Sequence, residues 1–230
     1  MKELMLVLQT MDMNHPRARR CIEHLKKTDL SMAELFIVDM VYGDGFNRGS
    51  YLEGFRKLAE GRPLVLLWDD VLIEDIHWLT QLRDIAGKSD VLVVGCQYRI
   101  EGSGVKVAGA IVDHTGVMGQ IADLPAAETG SIAYVPLIPE GVVFVSEPEK
   151  ISFDGEYQGS LCEADVCMQA WKIGKRVAVS LDPAIKRMMP PVTDNNPADR
   201  EHFDRKWRDF INDSLYTVQE LKWLERHLKK

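Results

Sequence analysis

Residues Leu64–Asp75 read LVLLWDDVLIED. Four apolar residues run into a tryptophan and two adjacent carboxylates, Asp69 and Asp70, before the chain turns apolar again. A near-continuous apolar run is what a parallel strand covered on both faces requires. Pro63 opens the run and the carboxylates stand at its carboxyl end. The stretch therefore belongs in an α/β sheet, with two negative charges at the edge where open sheets of this kind bind ligands.

The flanking sequence fits that placement. Upstream, Leu4–Leu8 is a short apolar strand. RARRCIEHLKK (17–27) sets Ala18, Cys21, Ile22 and Leu25 at helical spacing behind Pro16. ELFIVD (34–39) is a second strand ending at Asp39, GDGFNRGS (43–50) is a glycine-rich turn, and 51–60 is a helix stopped by Gly61. Downstream, 75–86 reads as a helix and DVLVVGCQY (90–98) as a strand. This alternation predicts an α/β fold, with a Rossmann-like, mainly parallel central sheet flanked by helices. VKVAGAIVDHTGVMG (105–119) then reads as a hairpin, ADLPAAETGS (122–131) as a mobile loop, and VPLIPEGVVFVS (135–146) as a strand or strand pair. EADVCMQAWKIGKR (163–176) is a helix, and RVAVSL (176–181) is the last strand. From Pro190 the chain is breaker-rich, and 204–230 is an amphipathic helix anchored by Trp207, Phe210, Ile211, Leu215, Val218, Leu221, Trp223 and Leu224. The expected division is a domain over 1–190 and a C-terminal helical extension over 191–230 packed on it. An apolar stripe of that length also offers a homodimer contact as the next reading.

Composition narrows the class. The chain has 230 residues, 46% apolar and 27% charged, enough for a substantial core. A net charge of -7 argues against a nonspecific nucleic-acid binder. No run approaches the roughly 20 apolar residues of a membrane span, and MKELMLVLQT reads as a strand rather than a signal peptide. Cys21, Cys96, Cys162 and Cys167 form no CxxC, so neither a disulfide scaffold nor a zinc site is expected. A reduced, cytoplasmic protein is the expectation.

The carboxylates carry the chemistry. Adjacent aspartates raise each other's pKa unless a positive partner compensates, and Mg²⁺ or Mn²⁺ bridging to substrate phosphates is a natural one. The blander reading has one aspartate capping a helix and the other facing water. Glu163 and Asp165 open a helix, where the dipole favours acids in any case; the functional reading is a general base. The Lys186–Arg187 pair follows the last strand, on the ligand side of the sheet. The RARR run reads as a solvated helix face or, less readily, as a contact to an anionic group. His15, His77 and His114 read as surface or capping residues, and Cys162 and Cys167 as buried small ones.

Taken in order, these pieces resemble the family 2 glycosyltransferases of the GT-A fold, especially rhamnosyltransferase-like members, over about residues 4 to 210. ELFIVD resembles the strand whose terminal aspartate meets the nucleotide; GFNRGSYLEGFRKLAEG resembles the segment carrying an asparagine and a helix before the metal strand. LVLLWDDV resembles the strand with a DxD-type motif, and VKVAGAIVDHTGVMG the family's hairpin. PEGVVFVSEPEKISFDGEY resembles the acceptor-side segment, EADVCMQAWKIGKRVAV the ED helix, and REHFDRKW the element that often follows. The resemblance implies a nucleotide-diphosphate sugar donor and Mg²⁺ or Mn²⁺ at Asp70. It implies nucleotide contacts from Asp39, Asn47, Arg48 and Asp69, with Asp69 orienting or contacting the ribose and serving as a further metal ligand. Glu163 is the implied catalytic base and Asp165 the alternative, in an inverting reaction onto an acceptor hydroxyl of a glycan, lipid-linked glycan, protein or modified base. Trp68 stands where the family has an acid or asparagine, and no histidine follows the last strand; Lys186 or Arg187 takes the cationic role there. These departures define the alternative, a degenerate GT-A domain that binds a nucleotide or a partner without turnover.

Overall fold

A computed structural model describes residues 2–40, 47–88, 90–112, 118–122, 124, 132–159, 161–181, 185–190 and 196–224. The glycine-rich turn before Asn47, the tip of the predicted hairpin, most of the 122–131 loop, His114 and the last six residues lie outside them.

The chain begins with β1 (Leu4–Thr10), α1 (Pro16–Leu25), β2 (Ala33–Asp39), α2 (Arg48–Leu58) and β3 (Leu64–Trp68). Next come β4 (Val71–Ile73), α3 (Trp78–Ala86), β5 (Val91–Cys96), β6 (Tyr98–Ile100) and β7 (Lys106–Val107). The hairpin β8 (Gly109–Val112) and β9 (Met118–Ile121) precedes β10 (Ile132–Tyr134) and β11 (Val142–Val145). The chain closes with α4 (Leu161–Lys172), β12 (Arg176–Ser180), β13 (Ile185–Arg187) and α5 (Pro197–Asp213).

The central sheet has seven strands in the order β10-β12-β5-β11-β3-β1-β2. β1, β2, β3, β5 and β12 run parallel, whereas β11 lies antiparallel between β3 and β5. β10 is antiparallel at the edge. Period-two alternation divides β1 between two buried faces. Leu4, Leu6 and Leu8 pack with Cys21 and Leu25 of α1 and with Trp78, Leu79 and Leu82 of α3. Met5 and Val7 share the other face with Leu52 of α2 and with Val166, Cys167 and Ala170 of α4. Phe203, Trp207 and Ile211 of α5 belong to that second cluster, together with Leu215, Leu221 and Leu224 beyond the helix. Burial on both faces explains why these strands read as continuous apolar runs.

Several elements differ from the sequence expectation. The strand carrying LVLLW stops at Trp68, and Val71–Ile73 leaves it for a second sheet of order β4-β13-β6-β7. RVAVSL is not the last strand, since β13 follows it and contains both Lys186 and Arg187. α2 starts at Arg48 because the Asn47 side chain caps it, accepting from the Ser50 N–H at 2.8 Å. α5 starts at Pro197 behind an Asn196 cap and ends at Asp213. Asn212, Asp213 and Ser214 are weak helix formers, and two 3₁₀ turns (Leu215–Thr217 and Gln219–Leu224) follow them. Beyond the break, Leu215, Leu221 and Leu224 are buried in the core.

Candidate functional site at the carboxyl edge of the sheet

The register of β1 against its neighbours sets the site. Thr10 lies opposite Asp39, and Gln9 opposite Trp68, so both aspartates after β3 emerge beside the carboxyl end of β1. The Asp69 N–H donates to the Gln9 carbonyl (3.1 Å) and the Trp68 N–H to the Gly141 carbonyl (3.0 Å). Asp69 and Asp70 are both buried.

Each has its own arginine. Asp69 accepts from Thr10 Oγ1 (2.8 Å) and from Arg17 Nη2 (3.2 Å), with Arg17 Nε 3.0 Å from its other oxygen. Asp70 Oδ2 accepts from Arg187 Nε (2.9 Å) and pairs with Arg187 Nη2 (2.7 Å). Among the described residues, Asp70 Oδ1 is buried with no hydrogen-bond partner. The like-charge problem posed by adjacent aspartates is thus resolved by two guanidinium groups drawn from α1 and β13. Arg17 belongs to the RARR run, whose contact to an anionic group is the reading realised at this residue. Arg187 lies over the ring of Tyr98 (5.3 Å), whose phenol burial pushes up to about 12 and so keeps protonated.

Glu163 lies in the first turn of α4. Arg48, itself buried, forms a two-pronged pair with it: Nη1 reaches Oε2 at 2.6 Å and Nη2 bonds Oε1. Arg48 also donates to Gln9 Oε1 (3.2 Å) and the Gly159 carbonyl (3.0 Å), and its guanidinium lies 4.4 Å from the Trp68 ring centre. Trp68, at the first position of the DxD-like triplet, therefore covers the cation that holds Glu163. Asp199 fixes the approach from below, accepting from the Gln158 and Gly159 N–H groups.

The other expected residues separate. Asp165, two residues beyond Glu163 in α4, is fully enclosed, accepting from Trp207 Nε1 (2.7 Å), Gln169 Nε2 (2.6 Å) and Tyr157 Oη (3.3 Å), with Lys206 Nζ at 2.9 Å. In that position it anchors α5 to α4. Lys186 leaves β13 on the opposite side from Arg187 and pairs with Glu74 at 2.6 Å. Asn47 is the α2 cap, and Asp39 is exposed at the end of β2. Sequence reasoning passed over Glu140. It stands just before β11, and Arg187 Nη1 lies 3.3 Å from its Oε2. Burial raises its pKa, Arg187 opposes that, and the charge of Glu163 adds to it. The available signal was a charged residue in PEG at the mouth of an apolar run.

Among the described residues, no group of three or more His, Cys, Asp or Glu side chains converges to hold a metal ion. Asp69 spends its oxygens on Arg17 and Thr10, whereas Asp70 keeps one oxygen without a partner. That donor set fits a hard divalent cation held by one carboxylate together with a substrate's phosphate oxygens.

No known family profile matches the chain, and no curated protein resembles it in sequence. Solved structures resemble it in fold. The crystal structure of GalNAc-T7 with UDP, GalNAc and Mn²⁺ superposes with a TM-score of 0.64 at 12% identity, covering 98% of this chain and 55% of that one. Mannosyltransferase PcManGT from Pyrobaculum calidifontis, in complex with GDP-Man and Mn²⁺, gives 0.57 at 13% identity over 91% of this chain and 62% of its own. A197 from STIV gives 0.51 at 12% identity over 83% and 87%. The chain thus spans a little over half the length of each of these two glycosyltransferases. Its fold is that of the GT-A glycosyltransferases.

Proposed function

We propose that this protein is a glycosyltransferase that moves a sugar from a nucleoside-diphosphate sugar to an acceptor hydroxyl, with inversion, as family 2 enzymes do. The observation that carries the reading is the unpartnered, buried Oδ1 of Asp70, at the carboxyl end of a central strand and flanked by arginines. An unsatisfied carboxylate oxygen is costly to bury, and such a site persists where a ligand completes it. Crystallised neighbours of the same fold hold UDP or GDP-Man with Mn²⁺, which supports a donor of that class here.

Asp70 is the residue that would hold Mg²⁺ or Mn²⁺; when bound, the ion supplies Lewis-acid neutralisation of the leaving diphosphate. Arg187 fixes the Asp70 carboxylate from one side and leaves Oδ1 available. Asp69, locked by Thr10 and Arg17, contacts the ribose side, and exposed Asp39 stands at the neighbouring strand end for the nucleoside. Arg48, clamped by Glu163 and covered by Trp68, gives the acceptor-side wall a fixed positive charge.

A second reading has one specific observation in its favour. Both oxygens of Glu163 are taken by Arg48, so proton acceptance there needs Arg48 to withdraw first. A nucleotide-binding module without turnover would show the same closure. Thermal unfolding with UDP, GDP, CDP or dTDP, with and without Mn²⁺, tests the nucleotide site. At a hundredfold excess over Kd, stabilisation of about 2.7 kcal/mol raises Tm by about 5–11 °C in a chain of this size. Asp70→Asn is expected to lose the Mn²⁺-dependent part of that rise. No shift with any of the four nucleotides overturns both readings, whereas a shift without release of nucleoside diphosphate from a sugar-nucleotide panel selects the module.

A further inference from the structure

We propose that Glu140 is the carboxylate that takes the proton from the acceptor hydroxyl, an assignment that rests on the glycosyl-transfer reading above. A general base must reach its proton and keep a free lone pair. The acidic residues at this edge differ sharply on both counts. The Asp165 side chain is 0% exposed and accepts from four donor groups. The Glu163 side chain is 9% exposed, and Arg48 occupies both of its oxygens. Asp69 is held by Thr10 and Arg17. The Glu140 side chain is 25% exposed, and among the described residues its one polar partner is Arg187, through Oε2 alone. Oε1 is left open to an incoming hydroxyl.

The backbone puts Glu140 at the reacting edge. β11 runs antiparallel to β3, so its first residue, Val142, lies opposite Leu67 near the carboxyl end of β3. Gly141 has φ +116, a conformation that favours glycine, and an added Cβ would lie 3.2 Å from Val71 and 3.3 Å from the Arg187 stem. Arg187 thereby packs flat against this turn and joins two carboxylates, Asp70 through Nε and Nη2 and Glu140 through Nη1. The candidate cation ligand and the base are held apart by one planar guanidinium, whose fork geometry sets the span between them.

The electrostatics agree with the geometry. Burial raises the Glu140 pKa, the Glu163 charge adds to it, and Arg187 and Arg48 oppose it. A carboxylate more basic than usual is the better proton acceptor near neutral pH. In the step assigned here, the acceptor oxygen forms its bond to the sugar's anomeric carbon as the bond from that carbon to the diphosphate oxygen breaks. The electron pair departs with the nucleoside diphosphate, the hydroxyl proton passes to Glu140 Oε1, and solvent later receives it.

The test uses the full chain, UDP-, GDP-, CDP- and dTDP-sugars with Mn²⁺, and water as the acceptor. Wild type is expected to release nucleoside diphosphate from one donor class, with a rate that rises with pH along an acid limb. Glu140→Gln should lower kcat about 10²–10⁴-fold with KM for the donor kept, and should lose the acid limb. Glu140→Asp should keep the limb at a reduced rate, and so should Glu163→Gln. The charged groups facing Glu140 are Arg187 from β13, Arg48 from α2 and Glu163 from α4; Glu163 is the other carboxylate among them, and for that reason the two glutamine variants are compared. Carbodiimide-driven coupling of an amine at pH 6, mapped by mass spectrometry, should label Glu140 and spare Glu163 and Asp165. Glu140→Gln turning over like wild type, or Glu163→Gln alone losing the limb, overturns the base assignment and leaves the transfer reading standing. A wild-type protein that turns over no donor overturns the transfer reading and the assignment with it, whatever the labelling shows.

Discussion

Replacing Arg48 by methionine isolates the buried ion pair that joins α2 to α4. Arg48 is 1% exposed and offers its guanidinium to both Glu163 oxygens, to Gln9 Oε1 and to the Gly159 carbonyl, under the ring of Trp68. Methionine keeps much of the volume and removes every donor. Glu163 is then a buried charge without its partner, a loss that costs about 3–5 kcal/mol. In a chain of this size that corresponds to a fall in Tm of about 6–20 °C. Removing both charges, in Arg48→Met/Glu163→Leu, leaves no buried ion and should recover most of the loss. The double variant is therefore expected to be more stable than the sum of the two singles by more than 1 kcal/mol, on the order typical of residues in direct contact. Equilibrium urea unfolding of the four proteins closes the cycle. An Arg48→Met protein that melts within about 2 °C of wild type, or singles that simply add, would refute the reasoning, because either result means the pair is solvated.

Two further outcomes follow from the packing around this pair. An added Cβ at Gly49 would lie 1.8 Å from the Asp154 carbonyl oxygen, so Gly49→Ala should cost at least about 1–3 kcal/mol, while Gly54→Ala in the same helix, with nothing within 4 Å, should gain about 0.5–1 kcal/mol; equal Tm shifts in the two variants would contradict the close approach. Burial raises the Asp154 pKa, but Lys206, the Glu156 N–H and His202 outweigh it and hold this carboxyl well below its usual range. A depressed carboxyl stabilises the fold above its unfolded pKa, and that stability is lost as pH falls through the folded value. The Tm gap between wild type and Asp154→Asn, measured from pH 7 downward, should therefore narrow below about pH 4, and a gap that widens on acidification would reverse the sign.

How much of this was legible depends on whether a residue acts through its neighbours in sequence or through contacts far away. LVLLW, ELFIVD and DVLVVGC announce buried parallel strands because their burial is two-sided and local pattern records it. The position of Asp69 and Asp70 at the sheet edge was legible because the strand that delivers them is. Their counter-ions were not: Arg17 and Arg187 reach them across 52 and 117 residues, and Arg48 reaches Glu163 across 115. No spacing rule spans such gaps. The same holds for Asp165, which reads from sequence as a second acid beside Glu163 yet spends its oxygens on Trp207 and Lys206 of a helix some forty positions on. The antiparallel entry of β11 was equally hidden, since VVFV carries no mark of strand direction, and with it the placement of Glu140.

Charge parity at the edge ties these residues together. Asp69, Asp70, Glu140 and Glu163 face Arg17, Arg48 and Arg187, four carboxylates against three guanidinium groups. Three of the carboxylates have two or more donor contacts; Glu140 has one, and it is the one whose pKa burial raises. The least compensated charge therefore rests on Glu140, whose own pKa burial raises. A diphosphate arriving at this edge brings further negative charge, and every guanidinium there is already engaged. Either an arginine changes partner or a cation enters at the one buried carboxylate oxygen left without a donor among the described residues, Asp70 Oδ1. An arginine that leaves Asp70 or Glu163 strands a buried carboxylate at several kcal/mol, whereas a cation at Oδ1 strands none and satisfies an orphaned oxygen. The balance favours the cation, and it requires nucleotide affinity to depend on Mn²⁺ in wild type and far less in Asp70→Asn.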